Sequence, residues 1–226
     1  FCGGLVGYCG ENTSTTITNS LVAPTSVSDG MVSNTFVGYG EATITNSYFV
    51  ATTNLPTNQG QQAHTISAGD DVTISDIGEA TTTYGSDGIT VYENGIKYRD
   101  TFFVVSGKTV SLTLSHGDKM GYHFSQYAAS AGTISAQTET SATLTMPAAN
   151  ITISAEWTKF IDGTGTADDP YVIDNADKWN YFANSVTGGY TFSGNFVKLG
   201  DNVSVSTMAG SNDAKSFQGT FDGDGQ

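Results

Sequence analysis

Positive charge is what this sequence has least of. Eight Lys and Arg stand against 22 Asp and Glu in 226 residues, a formal net charge of −14. All eight cations lie at or after Lys97, so the stretch before it carries acids with no compensating base. Such a surface repels phosphate backbones and anionic headgroups, which argues against nucleic-acid partners and electrostatic membrane docking. Long apolar runs are missing too. Nothing approaches ~18 consecutive apolar residues, so direct membrane insertion as a spanning helix is excluded. Cysteine is scarce: Cys2 and Cys9 both sit at the extreme N-terminus. They read either as a small-loop disulfide or as two buried thiols, and with no His or further Cys nearby a metal is not expected. Neither an initiator Met nor a signal-peptide pattern is present, so Phe1 reads as a processed terminus or a cut inside a longer chain. Charged residues of either sign make up only 13%, against a usual ~25%.

Thr, Ser, Asn and Gly take the place of charge. Thr suits a pleated strand, and Gly and Asn suit tight turns. With 11% aromatics and repeated β-branched runs, the composition implies a packed all-β fold rather than disorder.

Three segments differ in pattern. Residues 1–67 contain a repeat. VGY stands at 6–8 and 37–39, an offset of 31, and TITNS at 16–20 and 43–47, an offset of 27. The difference is absorbed between the two landmarks, by CGENTST in one copy and GEA in the other, as expected of a turn. Units of this length, with strand-like phrases and variable turns, predict two coils of a stacked solenoid.

Residues 68–157 change character. ITVYENGIKYR predicts a hairpin with Asn94-Gly95 as a type I′ pair. TVSLTLSHGDKMGYHF and SATLTMPAANITISAEW predict two more, with apolar residues alternating with hydroxyls. The expectation is a compact antiparallel β-sandwich-like domain or small β-rich roll, without helix.

Residues 158–226 open on the turn-rich DGTGTADDP, then a short strand Tyr171–Ile173. One amphipathic helix is expected near 175–186, capped by Asp174, with Trp179, Phe182 and Val186 on its apolar stripe. Strands are expected at Asn195–Leu199 and Val203–Ser206 and within FQGTFDGDG. The segment reads as the helix-capped start of a second solenoid. It ends in turn-type residues, as though another strand should follow.

These phrases resemble known modules. GGLVGYCGE and TITNS, followed by AHTISAGDDVTI, resemble the Gly-Leu-apolar-Gly (GLUG) repeats of bacterial cell-surface proteins. WNYFANSVTGGYTFSGNFVKLGDNV with FQGTFDGDGQ resembles the segment that opens such arrays. The middle segment, ending TLTMPAANITISAEW, is similar to divergent internalin-B-type B-repeat modules of secreted adhesins. The resemblance implies partial right-handed parallel β-helix segments at both ends of a β-rich spacer, and an extracellular or cell-surface location. It carries no catalytic residue.

Candidate sites are few. Asp222-Gly223-Asp224-Gly225 offers hard-cation ligands, weakly, because no EF-hand spacing follows; a turn is the simpler reading. Asp70-Asp71 and Asp168-Asp169-Pro170 are weaker cases of the same kind, and Pro170 alone explains a turn. His64, His116 and His123 lack metal-ligand spacing, and no G-x-S-x-G elbow accompanies them. A polysaccharide lyase or hydrolase would need charged groups on one face of successive coils. Glu11, Asp29 and Glu41 instead lie apart in turns. Tyr84, Tyr92, Tyr98, Tyr122 and Tyr127 are candidates for a sugar platform, though Tyr is also an ordinary strand residue.

The sequence therefore predicts no catalytic residue, metal or cofactor. It predicts a structural or adhesive module whose partners are neighbouring copies or adjacent repeats of the same protein, with host or glycan ligands as an alternative. Head-to-tail stacking of solenoid ends would give filaments.

Overall fold

Threonine and isoleucine lay down the first strands of the computed structural model, which describes residues 5–6, 8–10, 14–212 and 215–226. In β1 (Thr15–Thr18) and β3 (Ala42–Thr45) β-branched residues alternate, Ile17 and Ile44 pointing into the core that Phe36, Val37 and Phe49 fill. Each strand is followed by a two-residue step, β2 (Leu21–Val22) after β1 and β4 (Tyr48–Phe49) after β3. β1 pairs with β3 and β2 with β4, both parallel. One coil thus lies on the next, as in a solenoid. Neither has a hydrophobic core of its own, because Ile17, Val22, Phe36 and Phe49 share one cluster. Cys9 is buried in that cluster. Its pairing with Cys2 lies outside the described residues, as do Glu11–Thr13 of the CGENTST insertion.

β5 (Gln61–Ala68) does two jobs. Its first residues, Gln61 and Gln62, pair in parallel with Tyr48 and Phe49 and so form the next rung of the coil stack. Its later residues enter a larger sheet. After it come β6 (Val72–Asp76), β7 (Ala80–Tyr84), β8 (Ile89–Tyr92), β9 (Gly95–Tyr98) and β10 (Thr101–Val105). Then follow β11 (Thr109–His116), β12 (Tyr122–Ala129), β13 (Thr133–Ser135), β14 (Ser141–Thr145) and β15 (Ile151–Lys159). One sheet has the order β12-β15-β5-β10-β9-β8-β7, the other β13-β14-β11-β6. Within these two runs β15 is parallel to β5, with Ile151 opposite Ile66. β10 flanks β5 antiparallel on its other side, and β6 to β11 and β11 to β14 are antiparallel as well.

The three expected hairpins fare differently. β8 and β9 form one, but Tyr92 pairs with Gly95, so the turn residues are Glu93 and Asn94. Asn94-Gly95 is not the central pair. Gly95 is a strand residue, and what it requires is close approach: a Cβ there would meet the Phe103 carbonyl at 2.4 Å. The other two pairs are not hairpins. β11 and β14 lie in the four-stranded sheet, while β12 and β15 lie in the larger one. Alternation correctly marks the buried face, with Val110, Leu112, Leu114 and Leu144 all buried. It does not say which strand is the neighbour.

The chain divides into two units, one running to Gly117 and including Gln126–Glu156, the other made of Asp118–Ser125 and Trp157–Gln226. The second unit is a short parallel ladder of β16 (Tyr171–Ile173), β17 (Phe196–Leu199) and β18 (Thr220–Asp222). Tyr171 pairs with Val197 and Val197 with Phe221. α1 (Ala176–Gly188) follows β16, and Phe182 and Val186 share a core with Ile161, Ile173, Phe192 and Val197. It is the one α-helix among the described residues.

Its cap is Asn175, not Asp174. The Asn175 side chain accepts from the Lys178 amide at 2.9 Å. The Asp174 carboxylate is instead taken by the Lys178 ammonium at 2.9 Å, which also reaches Asp162 at 3.2 Å. No strand forms at Val203–Ser206, where Val205 is 56% exposed and the segment has no ladder partner. The result is an all-β chain with solenoid-like stacking and one short helix.

Candidate functional site

The repeated phrases meet in space at the offsets the sequence shows. Thr16 pairs with Thr43, Ile17 with Ile44 and Thr18 with Thr45. Each pair is one copy of TIT laid on the other. Val6 bridges Val37 in parallel, which is the offset of the VGY phrases. The corner is repeated as well. Asn19 and Asn46 both adopt left-handed φ, 52° and 46°, a conformation Asn tolerates better than most residues. One residue on, the Ser20 hydroxyl donates to the Thr18 carbonyl and the Ser47 hydroxyl to the Thr45 carbonyl, each at 2.9 Å. Tyr8 and Tyr39 close the VGY ladder with their rings stacked, centroids 5.4 Å apart and planes 8° from parallel. Both rings are open to solvent, at 57% and 42% exposure.

One edge of this ladder is closed by side chains. The Gln59 Oε1 accepts from the buried amides of Phe36 at 2.9 Å and Val37 at 2.8 Å. Asn58 accepts from the Thr35 amide at 3.3 Å, and Thr35 donates its hydroxyl to the Pro56 carbonyl. Together they occupy the N–H groups that a further VGY rung would use. Replacing Gln59 by Leu leaves two buried donors without this acceptor. The expected cost is about 2–3 kcal/mol, read as a lower urea midpoint for the first unit with its slope unchanged. Elsewhere edges remain open: among the described residues β1, β2 and β18 each pair along one side only.

The candidates marked in the sequence are scattered. The Asp222 carboxylate accepts from the Asp224 amide at 2.9 Å, and Asp224 lies 3.9 Å from the Lys198 ammonium. That is a turn with a loose ion pair. Among the described residues no group of three His, Cys, Asp or Glu is placed to hold a metal. Asp71 is a left-handed turn residue whose carbonyl accepts from Gly117. The Asp169 carbonyl gathers the amides of Thr164, Gly165 and Thr166 at 2.9–3.2 Å. It is the carbonyl, not the carboxylate, that organises DGTGTADDP.

The histidines have separate surroundings. Partial burial lowers the His64 pKa by desolvation, and Gln62 lies 3.4 Å from its ring nitrogen. His116 Nδ1 is 2.7 Å from the Gly117 carbonyl. His123 packs its ring against Phe160 and Tyr181. Of the five tyrosines, Tyr92 and Tyr127 are buried and cannot offer a ring face, while Tyr84 and Tyr98 are exposed. Tyr8 and Tyr39, Asn58 and Gln59 were not singled out from sequence. The tyrosines could have been, as the last letter of each VGY.

Residues 88–160 match the family model described as a divergent InlB B-repeat domain. The matched stretch runs from just before β8 to just after β15. It omits β5, the strand that joins β10 to β15. No curated protein matches the chain, and no solved structure does. Solenoid-like coils and a B-repeat match together fit a bacterial surface repeat protein, and suggest a structural surface module.

Proposed function

We propose that the chain is a non-enzymatic stalk or fibre module of a bacterial surface or secreted adhesin, built on coils of GLUG type. The coil-on-coil register, with Thr16, Ile17 and Thr18 each opposite its own repeat, is the observation that carries this reading. Each rung satisfies its neighbour's backbone and needs no wider core, so length can grow by adding rungs. The open sides of β1, β2 and β18 are the surfaces at which neighbouring copies or adjacent repeats stack head to tail. An acid-rich chain of net charge −14 keeps such an array soluble and apart from phosphate polymers.

Tandem copies of the chain test it. Small-angle scattering should show maximum dimension rising in proportion to copy number at constant cross-section. Polysaccharides, neutral or polyanionic, should not be turned over. Turnover abolished by a single Asp or Glu substitution would sink the proposal.

The stacked, exposed Tyr8–Tyr39 pair favours a second reading, a sugar-binding face, since aromatic faces suit sugar rings. Glycan binding lost in Tyr39→Ala would establish it. No binding on a broad glycan array would remove it.

A further inference from the structure

The strand by which the chain comes into the B-repeat module lies beside the strand by which it leaves. β5 carries the chain in from the coils, β15 carries it out, and the two are parallel neighbours: Ile66 opposite Ile151, Ser67 opposite Thr152, Ala68 opposite Ile153. The Gly69 amide adds a bond to the Ile153 carbonyl at 2.8 Å. On its other side β5 is held antiparallel by β10 through Ala63–Ile66. Its start is bonded to β4 of the coil stack.

From this we infer that the module is a shear clamp, the element of the chain that resists tension. The inference rests on the stalk reading for its purpose, since a stalk on a cell surface is pulled from its ends. Tension draws the start of β5 backward and the end of β15 forward. For parallel neighbours these pulls are opposed along the strand axis. Five residues of β5 precede Ile66 and six of β15 follow Ile151 as far as Trp157. At ~3.3 Å per residue the two points of pull are roughly 36 Å apart along the strands and only ~5 Å apart across them. The force therefore runs almost parallel to the strands.

In that geometry the hydrogen bonds on both sides of β5 are strained together and must fail together. Where force acts across a sheet, pairs open one at a time and each carries the whole load in turn. The coils upstream are parallel neighbours too, but their ladders are only two to four residues long. Their points of pull lie at most ~10 Å apart along the strands against ~5 Å across them, so the load is not confined to the strand axis. A coil pulled from its free end peels from its neighbour rung by rung.

Single-molecule stretching of the full chain tests this in two directions. In one, handles sit at the two termini. In the other they sit on exposed Thr83 of β7 and Gln126 of β12, at opposite edges of the same sheet, attached through encoded azides so that the native cysteines are untouched. The clamp event is recognised by its length: freeing about 84 residues between Ile66 and Ile151 extends the chain by on the order of 280 Å. End-to-end pulling should show weak early steps from the coils, then this step as a distinct high-force peak. Cross-sheet pulling should lose that peak and open the same residues at lower force. Equal force in the two directions, or a clamp step no stronger than the coil steps, overturns the proposal. Either result leaves the stalk reading standing. Conversely, enzymatic turnover or glycan capture would replace the stalk without changing the directional difference.

Discussion

Replacing Gly163 by Ala is expected to cost at least ~4 kcal/mol and to unfold the second unit at moderate urea. Gly163 sits at φ +86°, where an L side chain is strained by about 1–2 kcal/mol. The larger part is steric. A Cβ there would lie 1.9 Å from the Pro170 carbonyl oxygen and 2.6 Å from its carbon. That backbone cannot step aside. Asp162 and Val172 bridge the two sides of the loop, with the Val172 amide on the Asp162 carbonyl at 3.0 Å. Tyr171 next to it is the first rung of the β16-β17-β18 ladder. Gly194 supplies the comparison. Its φ is +79°, yet nothing lies within 4 Å of its would-be Cβ. Gly194→Ala should cost only about 1 kcal/mol. Similar urea midpoints for the two variants would show that the DGTGTADDP loop is not closed on Pro170 as described.

Alkali is expected to unfold the protein in a narrow range above pH 10. Five tyrosines, Tyr48, Tyr92, Tyr127, Tyr171 and Tyr181, have pKa values raised above the ordinary 10, in each case chiefly by burial away from water. Tyr92 is pushed well up, since its buried hydroxyl also bonds the Asp76 carboxylate. The native state then keeps protons that the unfolded chain releases. This stability is whole below pH 10 and drains away as pH rises, by up to ~1.4 kcal/mol per unit for each tyrosine. Against a typical domain stability of ~5–15 kcal/mol, a few such groups suffice. Tyrosinate absorbance should lag that of urea-unfolded chain and then rise together with loss of the β-sheet circular dichroism signal. Smooth titration near pH 10 with the signal intact would contradict the burial described.

Where pairing is repeated, the sequence is a direct guide to structure. TITNS recurs after 27 residues because Ile44 must lie over Ile17, and the offset between phrases is the register itself. Within the B-repeat module that logic stops. Val110, Leu112 and Leu114 announce a buried face, but the same face suits any neighbour, and β11 takes β14 and β6 rather than the adjacent β12. Asn94-Gly95 looks like a turn because Gly is read for its freedom; here it serves close contact with Phe103. The helix cap was missed by one residue because Asp174 and Asn175 are both good caps, and only the position of Lys178 decides between them. Gln59 leaves no local signature at all. Its side chain reaches amides 22 and 23 residues away, and nothing in its neighbours says so. The acids that read as weak cation candidates are placed as turn residues, Asp222 accepting from the Asp224 amide and Asp71 from the Gly117 amide through its carbonyl.

The parallel partnership of β5 and β15 also sets a timetable. Ile66 waits for Ile151, about 85 residues later in synthesis. Closing that loop costs about 1 kcal/mol more than the 27-residue closure that lays one coil on the next. Non-local parallel pairing is slow to form. A ribosome therefore delivers most of the first unit before its central strand has both neighbours. The coils and the β10 side of β5 can close early, but the sheet around β5 is complete only once β15 has been made.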